Sequence, residues 1–265
     1  MKSIYQALLE LEQNSKSAAL CTVVKTSGST PRHSTSKMLV FPDSPIIGSV
    51  GGGELENQVV LEAKLVIKNK HAKLIEYKMT DPAQGDVGVC GGQVMVFIEP
   101  IIPSPLIVII GGGHVGKAVA HISKWLGFRV AISDDRPEFC TPEANPDADI
   151  FFPIEMKYLP DQLVITDQTY LVLTTRGVST DIEGLPALLK TSAGFIGIIG
   201  SKRRWAETVK QLGSKGITRE DLARIHSPIG LEINAETPEE IAVSILAEIL
   251  MHHHKGTGKP MKEQP

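Results

Sequence analysis

The sequence predicts an α/β protein in two parts: an α+β domain over residues 1–103, then a Rossmann-like parallel-sheet domain over 104–265. Three observations carry this reading. Residues 107–116 read Ile-Val-Ile-Ile-Gly-Gly-Gly-His-Val-Gly, a β-branched run with Gly111, Gly113 and Gly116 at G-x-G-x-x-G spacing. Further apolar strands follow, each ending in a polar loop, as in a parallel sheet buried on both faces. Between the halves, Glu99-Pro100-Ile101-Ile102-Pro103-Ser104-Pro105 makes a stiff extended connector, and the domain boundary falls there.

Composition narrows the class. The chain has 265 residues, 42% apolar content and a net charge of −3, which describes an ordinary globular protein and gives no reason to expect nucleic acid or an acidic membrane as partner. No apolar run approaches the roughly 18 residues of a membrane span. The start, Met-Lys-Ser-Ile-Tyr-Gln, lacks the apolar core of a secretory signal, so the expected location is the cytoplasm. Cys21, Cys90 and Cys140 are an odd, widely spaced set that suits a reducing compartment and cannot supply a four-cysteine iron–sulfur site.

In the first half, Ser3 and Gln6 form a capping-box pattern that opens a short helix through Ile4, Ala7, Leu8 and Leu11. Strands are predicted over 20–24, 37–41 and 46–50. The loop Ser27-Gly28-Ser29-Thr30-Pro31-Arg32 offers hydroxyls and the Arg32 guanidinium to an anion, or else is a plain solvated connection. The run Gly48-Ser49-Val50-Gly51-Gly52-Gly53-Glu54-Leu55-Glu56 then starts a helix whose apolar face is Leu55, Val59, Ala63, Val66 and Ile67. Gly52 and Gly53 could receive a phosphate there, but Glu54 and Glu56 already complement the helix dipole and would repel one. After a strand over 74–79 comes a loop ending in Cys90-Gly91-Gly92, followed by a strand over 94–99. The two glycines leave the Cys90 thiol uncrowded on a loop, where reactive groups are often displayed, although a free cysteine is more commonly a small buried hydrophobe. Cys21 lies in an apolar strand and reads as core, while Cys140 is undecided.

In the second half, the glycines of the 111–116 turn answer three needs: a tight turn, close approach of backbone to a pyrophosphate, and close helix–strand packing. The helix that follows carries Val115, Val119, Ile122 and Leu126 on one face, and its start aims N–H groups and partial positive charge at an anion. Residues 129–133 form the second strand. It ends at Asp134, 18 residues after Gly116 and close to the roughly 20 expected for the carboxylate that accepts ribose hydroxyls. Arg136 could instead favour an extra phosphate. Strands over 150–153, 170–174 and 195–199 follow, and the rim rule places Asp134, Arg176, Asp181, Ser201 and Arg203 on the same side as the glycine turn. Ser201 would also cap the next helix. Thr237-Pro238-Glu239-Glu240 is a strong helix start. His252-His253-His254 end that helix; pointing about 100° apart, they do not converge on one metal and are read as favoured by the dipole. Residues 255–265 form a polar, flexible tail.

Taken in order, these motifs resemble the XdhC/CoxI family, the accessory factors of xanthine dehydrogenase and related molybdenum hydroxylases. The resemblance spans Gly28-Ser29-Thr30-Pro31-Arg32, the glycine run through Glu56, Cys90-Gly91-Gly92, Gly111-Gly112-Gly113-His114-Val115-Gly116 and Asp134-Asp135-Arg136-Pro137. It continues through Gly197-Ile198-Ile199-Gly200-Ser201-Lys202-Arg203-Arg204, Pro228-Ile229-Gly230-Leu231 and the helix from Thr237. It implies an N-terminal XdhC/CoxI domain and a C-terminal Rossmann domain. It also implies a protein that binds molybdenum cofactor (molybdopterin), protects it during sulfuration and helps insert it into an apo-hydroxylase such as xanthine dehydrogenase. The implied partners are that hydroxylase, a cysteine desulfurase and a second copy of the chain, in the setting of purine catabolism.

The candidate cofactor-binding set is Arg32, Gly52, Gly53, Cys90, Gly91, Gly92, Gly111, Gly113, His114, Gly116, Asp134, Arg136 and Ser201. Cys90 is the candidate thiol and the one soft contact for molybdenum; no direct metal site is expected. One departure stands out: where family members often carry a histidine after the fourth Rossmann strand, this chain reads Thr175-Arg176-Gly177-Val178. With three cysteines the polypeptide alone is not expected to oxidise xanthine. The alternatives are an NAD(P)-binding oxidoreductase or a regulatory subunit that senses a nucleotide.

Overall fold

Helix α1 (Ile4–Gln13) begins where Ser3 and Gln6 exchange both hydrogen bonds of a capping box. In this computed structural model, residues 3–14, 16–30, 33–43, 45–79, 87 and 91–263 are described. The chain forms two compact units, Met1–Pro103 and Ser104–Pro265.

The first unit is a five-stranded antiparallel sheet. Its strands are β1 (Ala18–Ser27), β2 (Lys37–Val40), β3 (Ile47–Gly48), β4 (Lys73–Met79) and β5 (Gly92–Ile101), ordered β3-β2-β1-β5-β4. Strand periodicity decides which side chains face which helix. Ala19, Cys21 and Val23 of β1 pack with Leu55, Val59, Ala63 and Val66 of helix α2 (Gly53–Asn69). Ala18 and Leu20 pack on the opposite face with Ala7 and Leu11 of α1. The proline-rich connector is shorter than the sequence suggests, because β5 runs on through Pro100, which pairs with Ala19. Pairing with β4 stops at Ile98, so Pro100 lies where β5 has a neighbour on one side only and its missing N–H is tolerated.

The second unit is a six-stranded parallel sheet ordered β11-β10-β9-β6-β7-β8. Its strands are β6 (Leu106–Ile110), β7 (Arg129–Ser133), β8 (Ile150–Phe152), β9 (Thr169–Leu173), β10 (Phe195–Ile198) and β11 (Ile225–His226). Helices α3 (His114–Trp125), α4 (Leu159–Gln162), α5 (Val178–Leu189), α6 (Lys202–Ser214), α7 (Arg219–Leu222) and α8 (Pro238–His254) complete the unit. Every residue of β6 is buried. Ile107 and Ile109 pack with Val119 of α3 and Ile245 and Leu246 of α8, while Leu106, Val108 and Ile110 pack with Ile182, Leu185 and Leu188 of α5. Strand β6 pairs with β7 on one side and β9 on the other, so the strand order reverses at its carboxyl end. A crevice for ligands opens at such a point.

One helix of this unit, and the contacts at the end of another, escape a reading of the sequence. Helix α5 contains Pro186 and Gly184, which lower its helical propensity. It forms because it buries one apolar face, and Gly184 is needed there since a Cβ would lie 2.4 Å from Met156 Sδ. The histidines ending α8 do more than meet the helix dipole. His252 Nε2 lies 3.0 Å from the Gly194 carbonyl oxygen, and His253 Nδ1 lies 2.7 Å from the Tyr170 hydroxyl. They fasten the end of α8 to the amino ends of β9 and β10.

Gly116 shows how tightly α3 meets β6: a Cβ there would lie 1.9 Å from the Gly111 carbonyl oxygen, which is backbone and cannot step aside. Gly116→Ala is therefore expected to destabilise the chain by about 3 kcal/mol or more. Urea unfolding measures this; a loss below about 0.5 kcal/mol, the level of a neutral surface change, would contradict the packing.

Candidate functional site

The turn between β6 and α3 is built by three glycines with internal reasons and one without. Gly111 has φ +118°, and a Cβ there would lie 2.6 Å from the Thr174 carbonyl oxygen. Thr174 Oγ1 donates back to the Gly111 carbonyl at 2.7 Å. At Gly112 a Cβ would lie 2.3 Å from the Phe139 carbonyl oxygen, and Asn145 Nδ2 donates to the carbonyls of both Gly112 and Phe139. Gly116 is held by Gly111 as described. Gly113 differs: its φ of −72° and ψ of −167° suit any residue, and a Cβ would meet nothing within 4 Å. It is the N-cap of α3, and among the described residues no side chain caps the helix. The first-turn N–H groups of His114 and Val115 precede any partner inside the helix, so they face open space beside Gly113. His114 itself is exposed.

Asp134 follows β7 opposite this turn, and its carboxylate is fully engaged. Oδ2 accepts the Gly112 N–H at 2.8 Å and Arg136 Nη2 at 2.9 Å. Oδ1 accepts the Arg136 N–H and Nε, both at 3.0 Å. A carboxylate offers about four lone-pair sites, and all are taken. The side chain is 2% exposed. Burial alone would raise its pKa, but the Arg136 guanidinium and the two backbone N–H donors outweigh burial and hold it below the ordinary carboxylate value. The ribose-hydroxyl role read for Asp134 thus finds no free acceptor, because Arg136 folds back over it. The Arg136 guanidinium also lies 3.9 Å from the centre of the Phe139 ring.

The neighbouring loops are tied in the same way. Arg176 Nη2 donates to both oxygens of the exposed Asp135, at 2.8 and 2.7 Å. Asp181, fully buried, accepts from Thr175 Oγ1 and from Arg204 Nη2 at 2.7 Å, while Arg204 Nη1 donates to the Thr175 carbonyl at 3.1 Å. The loops after β9 and β10 are thereby joined. Of the basic trio, Arg204 reaches the rim, whereas Arg203 is exposed and has no such contact. Ser201 caps α6 by accepting the Arg204 N–H at 3.2 Å, its structural role. A pocket of about 110 Å³ opens at this rim, lined by Gly111, Ser133, Arg136, Thr175, Arg176 and Glu183 among others. The Ser133 hydroxyl, on a residue 0% exposed, has no hydrogen-bond partner among the described residues.

In the first unit, two motif loops distant in sequence come together. A Cβ at Gly28 (φ +69°) would lie 2.8 Å from the Gly91 carbonyl oxygen, and one at Gly92 would lie 2.2 Å from the Ser29 carbonyl oxygen. Gly91 itself has φ +77° and space around it. Cys90 and Arg32 lie outside the described residues. The glycine run before α2 is capped from within: Glu56 Oε2 accepts the Ser49 hydroxyl at 2.7 Å, the Val50 N–H at 3.3 Å and the Gly52 N–H at 3.2 Å. Gly52 therefore has its donor occupied by a carboxylate, as the acidic first turn suggested, and Gly53 has open space but no anion partner. Burial pushes the Cys21 thiol up to about 12 and raises that of Cys140, which donates to the Ile132 carbonyl at 3.3 Å. Both are inert packing residues.

Family models match both units: the XdhC and CoxI family over residues 11–78, and the XdhC Rossmann domain over residues 107–249. The chain belongs to the XdhC/CoxI family. The uncharacterized protein YqeB of Escherichia coli is 34% identical over 258 residues, 97% of this chain and 47% of YqeB. A Bacillus subtilis protein named as a probable xanthine dehydrogenase subunit is 32% identical over 58% of this chain and 45% of that protein. The chain thus spans about half the length of these two curated relatives. The molybdenum cofactor insertion chaperone PaoD of Escherichia coli is 22% identical, covering 94% of this chain and 87% of PaoD. A crystal structure described as a xanthine dehydrogenase from Bacillus halodurans shares the fold, with a TM-score of 0.52 and 20% identity over 100% of this chain and 98% of that one. Among the described residues, no helix is long and apolar enough to cross a membrane, and no cluster of three or more His, Cys, Asp or Glu could hold a metal ion.

The Asp134 network makes a pH prediction. A carboxylate with a lowered folded-state pKa contributes stability that is fully present above its unfolded value, about 3.9, and is lost as pH falls through the folded value. Asp134→Asn should cost about 2 kcal/mol at pH 7, and its deficit should shrink below about pH 4. Urea unfolding of both proteins from pH 7 to pH 3 tests this; a deficit that does not change with pH would contradict it.

Proposed function

We propose that this chain is an accessory factor for a molybdenum hydroxylase: it holds molybdenum cofactor as cargo, shields it during sulfuration and passes it to the apo-enzyme. The observation that carries the reading is the uncapped start of α3. There Gly113 has neither a conformational nor a packing reason to be glycine, yet its bareness leaves two N–H groups open to an anion. A phosphate on the pterin side chain suits that position, since the helix start offers both donors and partial positive charge. The names of PaoD and of the Bacillus subtilis relative support this choice of cargo and partner.

Cys21 and Cys140 are buried, which leaves Cys90, beside the conformationally free Gly91, as the soft group to meet molybdenum or its sulfur ligand. A cysteine desulfurase as sulfur donor and a homodimer as the working form belong to the same proposal. An NAD(P)-dependent oxidoreductase is the poorer reading, because Asp134 keeps no lone pair for ribose hydroxyls.

The test is the molybdenum and pterin content of the chain purified without oxygen from cells that make the cofactor. Both are expected in near-equal amounts, and Cys90→Ala should lower the retained molybdenum and the activation of an apo-hydroxylase at least tenfold, the scale of losing one soft ligand contact. Wild-type protein with nucleotide but neither molybdenum nor pterin would contradict the proposal.

A further inference from the structure

We propose that the outward face of α2 is a docking surface for a second copy of this chain, the two helices packing antiparallel across a two-fold axis at Leu61. This gives a surface to the homodimer named above; it rests on that part of the reading and not on the cofactor cargo.

Helix α2 buries Leu55, Val59, Ala63 and Val66 against the first sheet. At about 100° per residue, Glu54, Leu61 and Lys68 fall in one line on the opposite side, with Leu65 beside it. The outer face of such a helix ordinarily carries charged and polar side chains, and Glu54, Asn57, Lys64 and Lys68 are exposed there. The two leucines break that pattern. Leu61 is 59% exposed and Leu65 45%, and at i, i+4 spacing they make one apolar strip in the middle of the face.

The charges on either side of the strip say what covers it. Glu54 lies at the start of α2, its carboxylate accepting from Gln58 Nε2 at 2.8 Å and Asn57 Nδ2 at 3.4 Å. Lys64 and Lys68 lie toward the other end, and among the described residues neither has a carboxylate partner. Glu54 and Lys68 are equally far from Leu61 in the sequence. A two-fold axis at Leu61 therefore sets Glu54 opposite Lys68 of the second copy and Lys68 opposite Glu54 of the second copy. Leu61 then meets its own counterpart, with Leu65 of each copy packed alongside. Parallel helices would instead bring Glu54 against Glu54 and Lys68 against Lys68. The face is self-complementary in one orientation, as an isologous interface must be. The leucines supply the attraction, and the end charges fix partner and direction. A 17-residue helix is only about 25 Å long. One such pair falls in the small class of specific interfaces, so the dimer should be weak, with a Kd on the order of 10 µM.

Sedimentation equilibrium of the full chain from about 1 to about 100 µM spans that constant. Wild type should pass from monomer to dimer over the range. Leu61→Glu should raise the Kd at least about tenfold, by placing two carboxylates at the axis, and leave the urea midpoint unchanged because the site is exposed. Lys68→Glu should weaken association several-fold, and adding Glu54→Lys should restore it. The double exchange opposes the dipole of α2 at both ends, so a restored dimer comes from pairing between copies and not from a firmer helix. A dimer that survives Leu61→Glu overturns this face and leaves the homodimer standing. A wild type that stays monomeric overturns both, while molybdenum and pterin content still decides the cargo reading. If that monomer binds an apo-hydroxylase and Leu61→Glu abolishes the binding, the face belongs to that enzyme and the second copy is ruled out.

Discussion

The carboxylate of Asp134 is the knot on which the second unit's working edge depends. It accepts one N–H from the glycine turn after β6 and three from Arg136, and so locks the ends of β6 and β7 together. Because Asp134 is buried, removing Arg136 would leave an uncompensated buried charge. The Gly112 carbonyl is held in turn by Asn145, and Gly111 by Thr174, so the turn is fastened on three sides. A turn this constrained presents the first amides of α3 in one geometry, and preorganised donors are what anion recognition needs.

The same economy of partners shapes what the rim can bind. Asp181, Thr175 and Arg204 close the far side, and Arg176 with Asp135 bridges the near side. Most charged groups at the site hold other protein groups in place. Among the described residues at the rim, the amides beside Gly113 remain open to a ligand. A ligand that carries a phosphate fits that distribution.

How much of this can be read from the amino acids differs by level. The glycine turn is legible because φ requirements and close approach leave few alternatives to glycine at Gly111 and Gly116, and the strand–helix context is local. The position of Asp134 is also legible, at the end of the second strand. Its saturation is not, because spacing places a carboxylate without saying which neighbour folds back onto it. Arg204 is obscured by Lys202 and Arg203, and only the Ser201 cap, which sets the helix phase, shows which of the three turns inward. Helix α5 is hidden by Gly184 and Pro186, whose propensities oppose a helix that tertiary burial stabilises. In the first unit, the acidic first turn foreshadows that a carboxylate, Glu56, takes up the Gly52 N–H.

The central claim is that the open α3 start holds the cargo, and the Gly113→Asp variant tests it most directly. A side chain there meets no neighbour within 4 Å, so the fold should be kept while a carboxylate occupies the phosphate position. Molybdenum and pterin content should be measured for this variant and the wild type, prepared side by side and matched for urea midpoint. The account predicts an unchanged midpoint with cofactor lost from the variant; equal cofactor in both proteins would contradict it.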